Sequence, residues 1–207
     1  GNTVILKPSE HAPNTAGIIK EIIENIFDPG HVKVILGGVE TATELLKKRW
    51  DYIMFTGSTR VGKIIAKAAA VNLTPTTLEL GGKSPCVVDN EIPTRITARR
   101  IVWGKFLNCG QTCIAPDYLL VHKNVVSKLI PSIINEIEIA YGKNQIKSND
   151  YGRIVHKVHF KKLKDSIIKE KIIFGGITNE KELFFSPTLI ENPRKDSKLM
   201  SEEIFGP

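Results

Sequence analysis

The chain has 207 residues, is 42% hydrophobic and 25% charged, and carries 29 Lys and Arg against 22 Asp and Glu, for a net charge of +7. This is an ordinary globular composition, which excludes collagen-like, disordered and disulfide-scaffold classes, and no apolar run approaches the roughly 20 residues of a membrane-spanning helix. Three cysteines, Cys86, Cys109 and Cys113, make an odd count that favours a reducing compartment over a disulfide framework. With no Met at position 1 and an opening directly on a strand-like run, the sequence is expected to be an internal piece of a longer protein.

In chain order, the first part alternates strand and helix. Residues 3–6 are a short β-branched run. Asn14 or Thr15 then offers an N-cap to a helix carrying Ile18, Ile19, Ile22, Ile23, Ile26 and Phe27, spaced as one buried helical face. Asp28-Pro29-Gly30 ends that helix. Residues 32–36 read as a second strand, followed by Gly37-Gly38 and a helix through Leu45 and Leu46. Residues 52–55 are a third strand, after which Gly57-Ser58-Thr59 opens a helix through Ile64 and Ile65. Residues 76–80 are a fourth strand. This repetition predicts right-handed βαβ units and a parallel sheet covered by helices. Ligands of such sheets sit beyond the carboxyl ends of the strands, which here carry residues 7–10, Gly37-Gly38, Gly57-Ser58 and Glu79.

Gly81-Gly82-Lys83-Ser84-Pro85 interrupts the pattern and marks the expected domain boundary. Beyond it come a strand at 86–88, a helix at 94–106, a glycine-containing segment at 108–116 and a strand at 118–121. A helix from about 124 to 141 contains Pro131, which is expected to kink or split it. A basic helix follows near 157–170, then a strand at 172–174 and an extended stretch at 184–190. Helical spacing places Val158, Phe160, Leu163, Ile167 and Ile168 inward and the intervening lysines in water, so the positive charge reads as a solvated face and no nucleic-acid partner is expected. His156 and His159 share a helix face without a third ligand, and no metal site is expected there.

Three places can carry chemistry. The run from Gly57 to Gly62 follows a strand and precedes a helix, the context in which helix N–H groups receive an anion, although it is neither G-x-G-x-x-G nor a P-loop. Cys113 lies in Gly110-Gln111-Thr112-Cys113, where a thiol can be exposed; a nucleophilic cysteine needs a stabilised thiolate and a nearby base. Cys86, within Pro85-Cys86-Val87-Val88, reads instead as a small core hydrophobe. Glu79 sits between Leu78 and Leu80 at the end of a core strand, where desolvation raises a carboxyl toward general-base strength.

Together, Lys7-Pro8-Ser9-Glu10, Phe55-Thr56-Gly57-Ser58, Leu78-Glu79-Leu80-Gly81-Gly82-Lys83, Gly110-Gln111-Thr112-Cys113 and Glu203-Ile204-Phe205-Gly206-Pro207 resemble, in order and spacing, the aldehyde dehydrogenase superfamily. Cys113-Ile114-Ala115-Pro116-Asp117-Tyr118, with Asp51-Tyr52-Ile53-Met54-Phe55, resembles its class 3 or fatty aldehyde branch. The resemblance implies an α/β fold, with a parallel Rossmann-like cofactor-binding sheet followed by an α/β catalytic domain, both truncated. Residues 1–82 would be the C-terminal part of an NAD(P)-binding domain and 83–207 the N-terminal part of the catalytic domain.

The same resemblance implies that Cys113 attacks an aldehyde and Glu79 activates water to hydrolyse the thioester. Lys7 and Glu10 would touch the adenosine ribose, Gly57 and Ser58 the pyrophosphate turn, and Glu203 and Phe205 the nicotinamide ribose and ring. It implies NAD as cofactor, with NADP as the alternative. The substrate would be a medium- or long-chain aliphatic or an aromatic aldehyde, and the full-length parent a homodimer. Its location would be cytoplasmic, or the cytoplasmic face of an intracellular membrane where a C-terminal anchor follows. An inactive relative and a CoA-acylating relative are the alternatives. The family's oxyanion asparagine lies upstream of Gly1, so residues 1–207 alone are expected to be inactive.

Overall fold

A computed structural model describes residues 1–207, and the chain divides into two units, Gly1–Leu80 and Gly81–Pro207. In the first, β1 (Val4–Leu6), α1 (Pro13–Ile26) and β2 (Val32–Val34) form a strand–helix–strand crossover whose strands pair in parallel, Val4 opposite Val32 and Leu6 opposite Val34. After α2 (Val39–Leu46), a second crossover repeats the arrangement. Its strands β3 (Ile53–Thr56) and β4 (Thr76–Glu79) flank α3 (Thr59–Ala70) and pair in parallel from Ile53–Thr76 to Thr56–Glu79. A parallel pair needs a crossover of a dozen residues or so, and each helix supplies one. The α/β class expected from the sequence is the one observed, but the four strands form two separate two-stranded ladders, β1 with β2 and β3 with β4, and not the single parallel sheet expected.

Two expectations for α1 fail. The helix starts at Pro13 with Ala12 at the N-cap, so neither Asn14 nor Thr15 caps it. Proline suits the first helical position because its missing N–H would have no intrahelical partner there. Nor do the six apolar residues form one buried face. Ala16 is buried and Ile19 and Ile23 are half-buried where the helix meets β2, but Ile18, Ile22 and Ile26 are 57%, 51% and 67% exposed. The apolar residues fill two adjacent stripes, and one strand covers only one of them.

In the second unit, β5 (Pro85–Val88) pairs in parallel with β6 (Tyr118–Val121) across α4 (Thr94–Phe106), and α5 (Val126–Tyr141) packs on α4. Leu129, Ile133 and Ile137 of α5 are fully buried against Ala98, Val102 and Phe106 of α4. Each such side chain contributes about 1.5–3 kcal/mol on leaving water. That packing answers the proline question, since α5 runs through Pro131 as one helix. Pro131 is exposed, so the carbonyl it leaves unbonded is on the solvent side while the buried stripe holds the helix together.

The rest of the unit is α6 (Lys157–Ser166), an antiparallel pair of β7 (Ile172–Phe174) with β10 (Leu189–Ile190), a hairpin of β8 (Thr178–Asn179) with β9 (Phe184–Phe185), and the short α7 (Lys198–Ser201). Phe160 and Leu163 of α6 enter the core and its lysines stay in water. Val158 and Ile168 do not go inward; they are 78% and 71% exposed, because α6 ends at Ser166 and presents only its 160/163 stripe to the core. No helix is long and apolar enough to cross a membrane.

Candidate active site

In the first unit the candidate residues lie at the carboxyl ends of the parallel strands. Lys7 follows β1, and its Nζ donates to the Gly37 carbonyl beyond β2 at 2.8 Å and to Glu10 Oε2 at 3.3 Å. A bond from Glu10's own backbone N–H, and then Lys7, hold the Glu10 carboxyl below its ordinary value. Lys7 and Glu10 thus meet Gly37-Gly38 at one strand edge. At the other, Gly57 donates its N–H to the Glu79 carbonyl at 2.9 Å, which ties the turn before α3 to the end of β4.

Ser58 is the N-cap of α3, its Oγ accepting from Val61 N–H at 3.4 Å. The first N–H groups of a helix have no intrahelical partner, and no acidic residue stands in this first turn, whereas Arg60 does. The end is therefore electropositive, as an anion site requires. Glu79 itself departs from expectation. Flanking Leu78 and Leu80 suggested a desolvated carboxylate, but the residue, the last of β4, is exposed.

The second unit separates the three thiols. Cys109 is fully buried, and burial pushes its thiol up to about 11. Cys86, in β5, is half-buried and also raised by burial. Cys113 is exposed. Its loop is held by backbone that few residues adopt: Asn108, Cys109 and Gly110 have φ of 51°, 58° and 72°. Left-handed conformations at non-glycine residues persist only where their surroundings enforce them.

The enforcing residue is Gln111. Its Nε2 donates to the carbonyls of Asn108 (3.1 Å) and Arg153 (2.9 Å), and its Oε1 accepts from Val155 N–H at 2.9 Å. Asn108 Nδ2 returns a bond to the Gln111 carbonyl at 3.1 Å. Gly110 is required twice, by its positive φ and because a Cβ there would lie 2.2 Å from the Gly206 carbonyl oxygen.

The segment 203–206 lies against the same unit. Glu203 Oε1 accepts from Gly82 N–H at 3.3 Å, and a Cβ on Gly81 would lie 2.1 Å from Glu203 Oε2, so the carboxylate fits only over glycine. Phe205 has a left-handed φ of 49°, and its carbonyl accepts from His159 Nε2–H at 2.6 Å. His156 Nδ1 accepts from His159 N–H at 3.1 Å, which caps α6. The histidine pair is thus used for capping and bracing. Burial pulls His159 below its ordinary range.

Sequence reasoning missed Gln111 as a brace, His159 as a support for Phe205, and a charged group made by Lys83, Lys105 and Asp117. Asp117 is 3% exposed; Lys83 Nζ donates to its Oδ2 at 3.1 Å and Lys105 Nζ lies 3.9 Å from its Oδ1. A signal for Lys105 existed: it continues the Ala98, Ile101, Val102 stripe of α4, a core position where lysine is out of place.

The family model described as "Aldehyde dehydrogenase family" matches residues 1–207. Aldehyde dehydrogenase family 3 member A2 of Rattus norvegicus is 47% identical over 207 residues, all of this chain and 43% of that protein. The rat protein named "Aldehyde dehydrogenase, dimeric NADP-preferring" is 45% identical over all of this chain and 46% of its own length. Among solved structures, the substrate-bound state of Staphylococcus aureus AldH superposes with a TM-score of 0.94 at 46% identity, covering all of this chain and 46% of that one. The chain spans under half the length of these relatives. A family match along every residue, carried through both units with all five motifs in place, decides the matter: the chain belongs to the aldehyde dehydrogenase family.

Proposed function

We propose that this chain carries the thiol, the base and the cofactor contacts of an NAD(P)-dependent enzyme that oxidises an aldehyde to a carboxylic acid. The observation that carries this reading is the position of Cys113. It is the one exposed thiol of three, on a loop braced by the buried amide of Gln111, in a chain matched throughout to the family. Residues 1–82 then act as part of the NAD(P)-binding domain and residues 83–207 as part of the catalytic domain.

The residues present suit a dinucleotide. The electropositive start of α3 at Gly57-Ser58 suits a pyrophosphate, Lys7 and Glu10 suit the hydroxyls of an adenosine ribose, and Glu203 and Phe205 suit the nicotinamide ribose and ring. Glu10 would repel a 2′-phosphate, which favours NAD; the name of the NADP-preferring relative makes NADP the second arm of the test.

The chain's own residues account for the remaining chemistry. Cys113 Sγ, as thiolate, adds to the aldehyde carbon and leaves an alkoxide on oxygen. Bound NAD(P) supplies the hydride acceptor that turns this thiohemiacetal into a thioester. Glu79 takes a proton from water, whose oxygen adds to the thioester carbon; the C–S bond breaks and Cys113 thiolate is released with the acid. Exposure of Glu79 suits this step, since the base must reach water.

The reading extends to a medium- or long-chain aliphatic or aromatic aldehyde, a homodimer, and a cytoplasmic site or the cytoplasmic face of an intracellular membrane. The test uses the complete gene product, following NADH or NADPH formation with aldehydes of increasing chain length, with and without CoA. Turnover without CoA supports the hydrolytic route. A strict CoA requirement transfers the chain to the acylating class, and no turnover with any aldehyde overturns the reading.

A further inference from the structure

Lys105 is a polar anomaly that the roles above do not use. Its side chain is 12% exposed and its Nζ makes no hydrogen bond, although an ammonium has three protons to donate and is costly to bury without acceptors. Its ion-pair partner, Asp117, is shared. Asp117 receives Lys83 Nζ at 3.1 Å and the Ile204 N–H at 3.3 and 3.4 Å on its two oxygens, while Lys83 also donates to the Leu199 carbonyl. The next residue along, Glu203, accepts from Gly82 N–H and acts on Lys105 through its charge. Lys83, Lys105, Asp117 and Glu203 thus form one group of two cations and two anions. They come from the start of the unit, the end of α4, the approach to β6 and the segment after α7, and Cys113 lies on the loop between Lys105 and Asp117.

We infer that Lys105 is a positioning residue for the cofactor end of the site: its ammonium balances Asp117 and Glu203, so that Glu203 is held ready for a ribose hydroxyl, and loss of the Lys105 proton releases that hold. This rests on the dehydrogenase reading of Glu203. The geometry gives the reason. Asp117 anchors the backbone of Ile204, the neighbour of Glu203, and with Lys105 neutral two carboxylates share the single charge of Lys83. Burial is the largest influence on Lys105 and lowers it. Asp117 opposes burial, Lys83 reinforces it and Glu203 opposes it, leaving the ammonium at about 8. The hold is therefore complete near pH 7 and fades through mildly alkaline pH, where an ordinary lysine keeps its charge.

The experiment measures the dissociation constant of NAD, without aldehyde, by intrinsic fluorescence of the complete protein between pH 6.5 and 9.5. For the wild type we expect affinity to weaken about tenfold around a midpoint near pH 8, a decade being about 1.4 kcal/mol. Lys105→Met should bind about tenfold more weakly at every pH and show no midpoint. Lys105→Arg should keep tight binding to pH 9.5, because guanidinium does not deprotonate there. The melting temperature at pH 7 is recorded for each, since a merely structural lysine predicts a loss of stability in Lys105→Met and this proposal does not. Should arginine lower the melting temperature through its size, Lys105→Met decides alone: a flat pH profile supports the proposal and a profile like that of the wild type overturns it. A wild type that binds NAD equally at all these pH values also overturns it. A wild type that binds neither NAD nor NADP at pH 7 fails the dehydrogenase reading first, and this proposal with it.

Discussion

Cys113 and Cys109 lie four positions apart in one loop, yet their surroundings give them opposite fates. Cys109 is sealed in the core with its thiol held protonated, while Cys113 faces solvent. Limited iodoacetamide treatment at pH 8 should therefore label Cys113 first and leave Cys109 unmodified until denaturant is added; peptide mass mapping checks this, and early labelling of Cys109 would contradict the burial. In the complete protein, Cys113→Ser should abolish aldehyde oxidation while NAD binding persists, because a serine hydroxyl is hardly ionised near neutral pH and a thiol is readily activated. Cys86→Ser should cost stability or nothing. Equal loss of turnover from both changes would point to folding and not chemistry. At this scale the motifs make Cys113, Glu79 and Glu203 candidates from sequence, since chemistry-bearing residue types in fixed order are legible without coordinates. Lys105 stood out only as a lysine on the core stripe of α4, and the roles of Gln111 and Lys105 as supports were not legible, because their partners Arg153, Val155 and Asp117 follow no local rule.

Elements were read well where one local rule dominates. The strand–helix–strand rhythm from Val4 to Glu79 follows from β-branched runs alternating with amphipathic helices, and the parallel pairing exists, but as two separate two-stranded ladders and not as the single sheet expected. Reading failed where tertiary contacts overrode propensity. Pro131 was expected to kink or split α5; it does not split it, and Leu129, Ile133 and Ile137 hold the helix through it. Pro131→Ala should accordingly stabilise the protein, by about 1–3 kcal/mol, because proline is about 3 kcal/mol worse than alanine in a helix interior and part of that is offset in the unfolded chain. Urea unfolding of the two proteins measures the difference, and an unchanged midpoint would show that α5 already absorbs the proline without cost. The left-handed turn at Asn108–Gly110 makes the opposite case. Gly110→Ala must adopt a φ of 72° and press a methyl onto the Gly206 carbonyl, so it should destabilise the protein and slow labelling or turnover at Cys113. Wild-type turnover and melting temperature in that variant would mean the loop is not held as described.

For the whole molecule, Lys105 links stability to pH. Its folded value of about 8 lies below the 10.5 of an ordinary lysine, so the unfolded chain binds more protons between those values and stability from this group rises with pH across that window. Below about pH 8 the cost of keeping the buried ammonium is fully present. The melting temperature of Lys105→Met should therefore exceed that of the wild type at pH 7, and the gap should close toward pH 10; a gap constant with pH would exclude this linkage. The buried Cys109 thiol, raised by burial, acts in the opposite sense as pH rises from 9 to 11, but it is common to both proteins and cancels in the comparison. Composition, periodicity and motif order by themselves determined the α/β class, the parallel pairing and the family, because these depend on residue types and spacings along the chain. Only the tertiary structure decided which apolar stripe of α1 is covered, that Glu79 is exposed, which thiol faces solvent, and that Lys83, Lys105, Asp117 and Glu203 share one electrostatic group. Each of those depends on packing between residues distant in sequence, and burial and charge act through space.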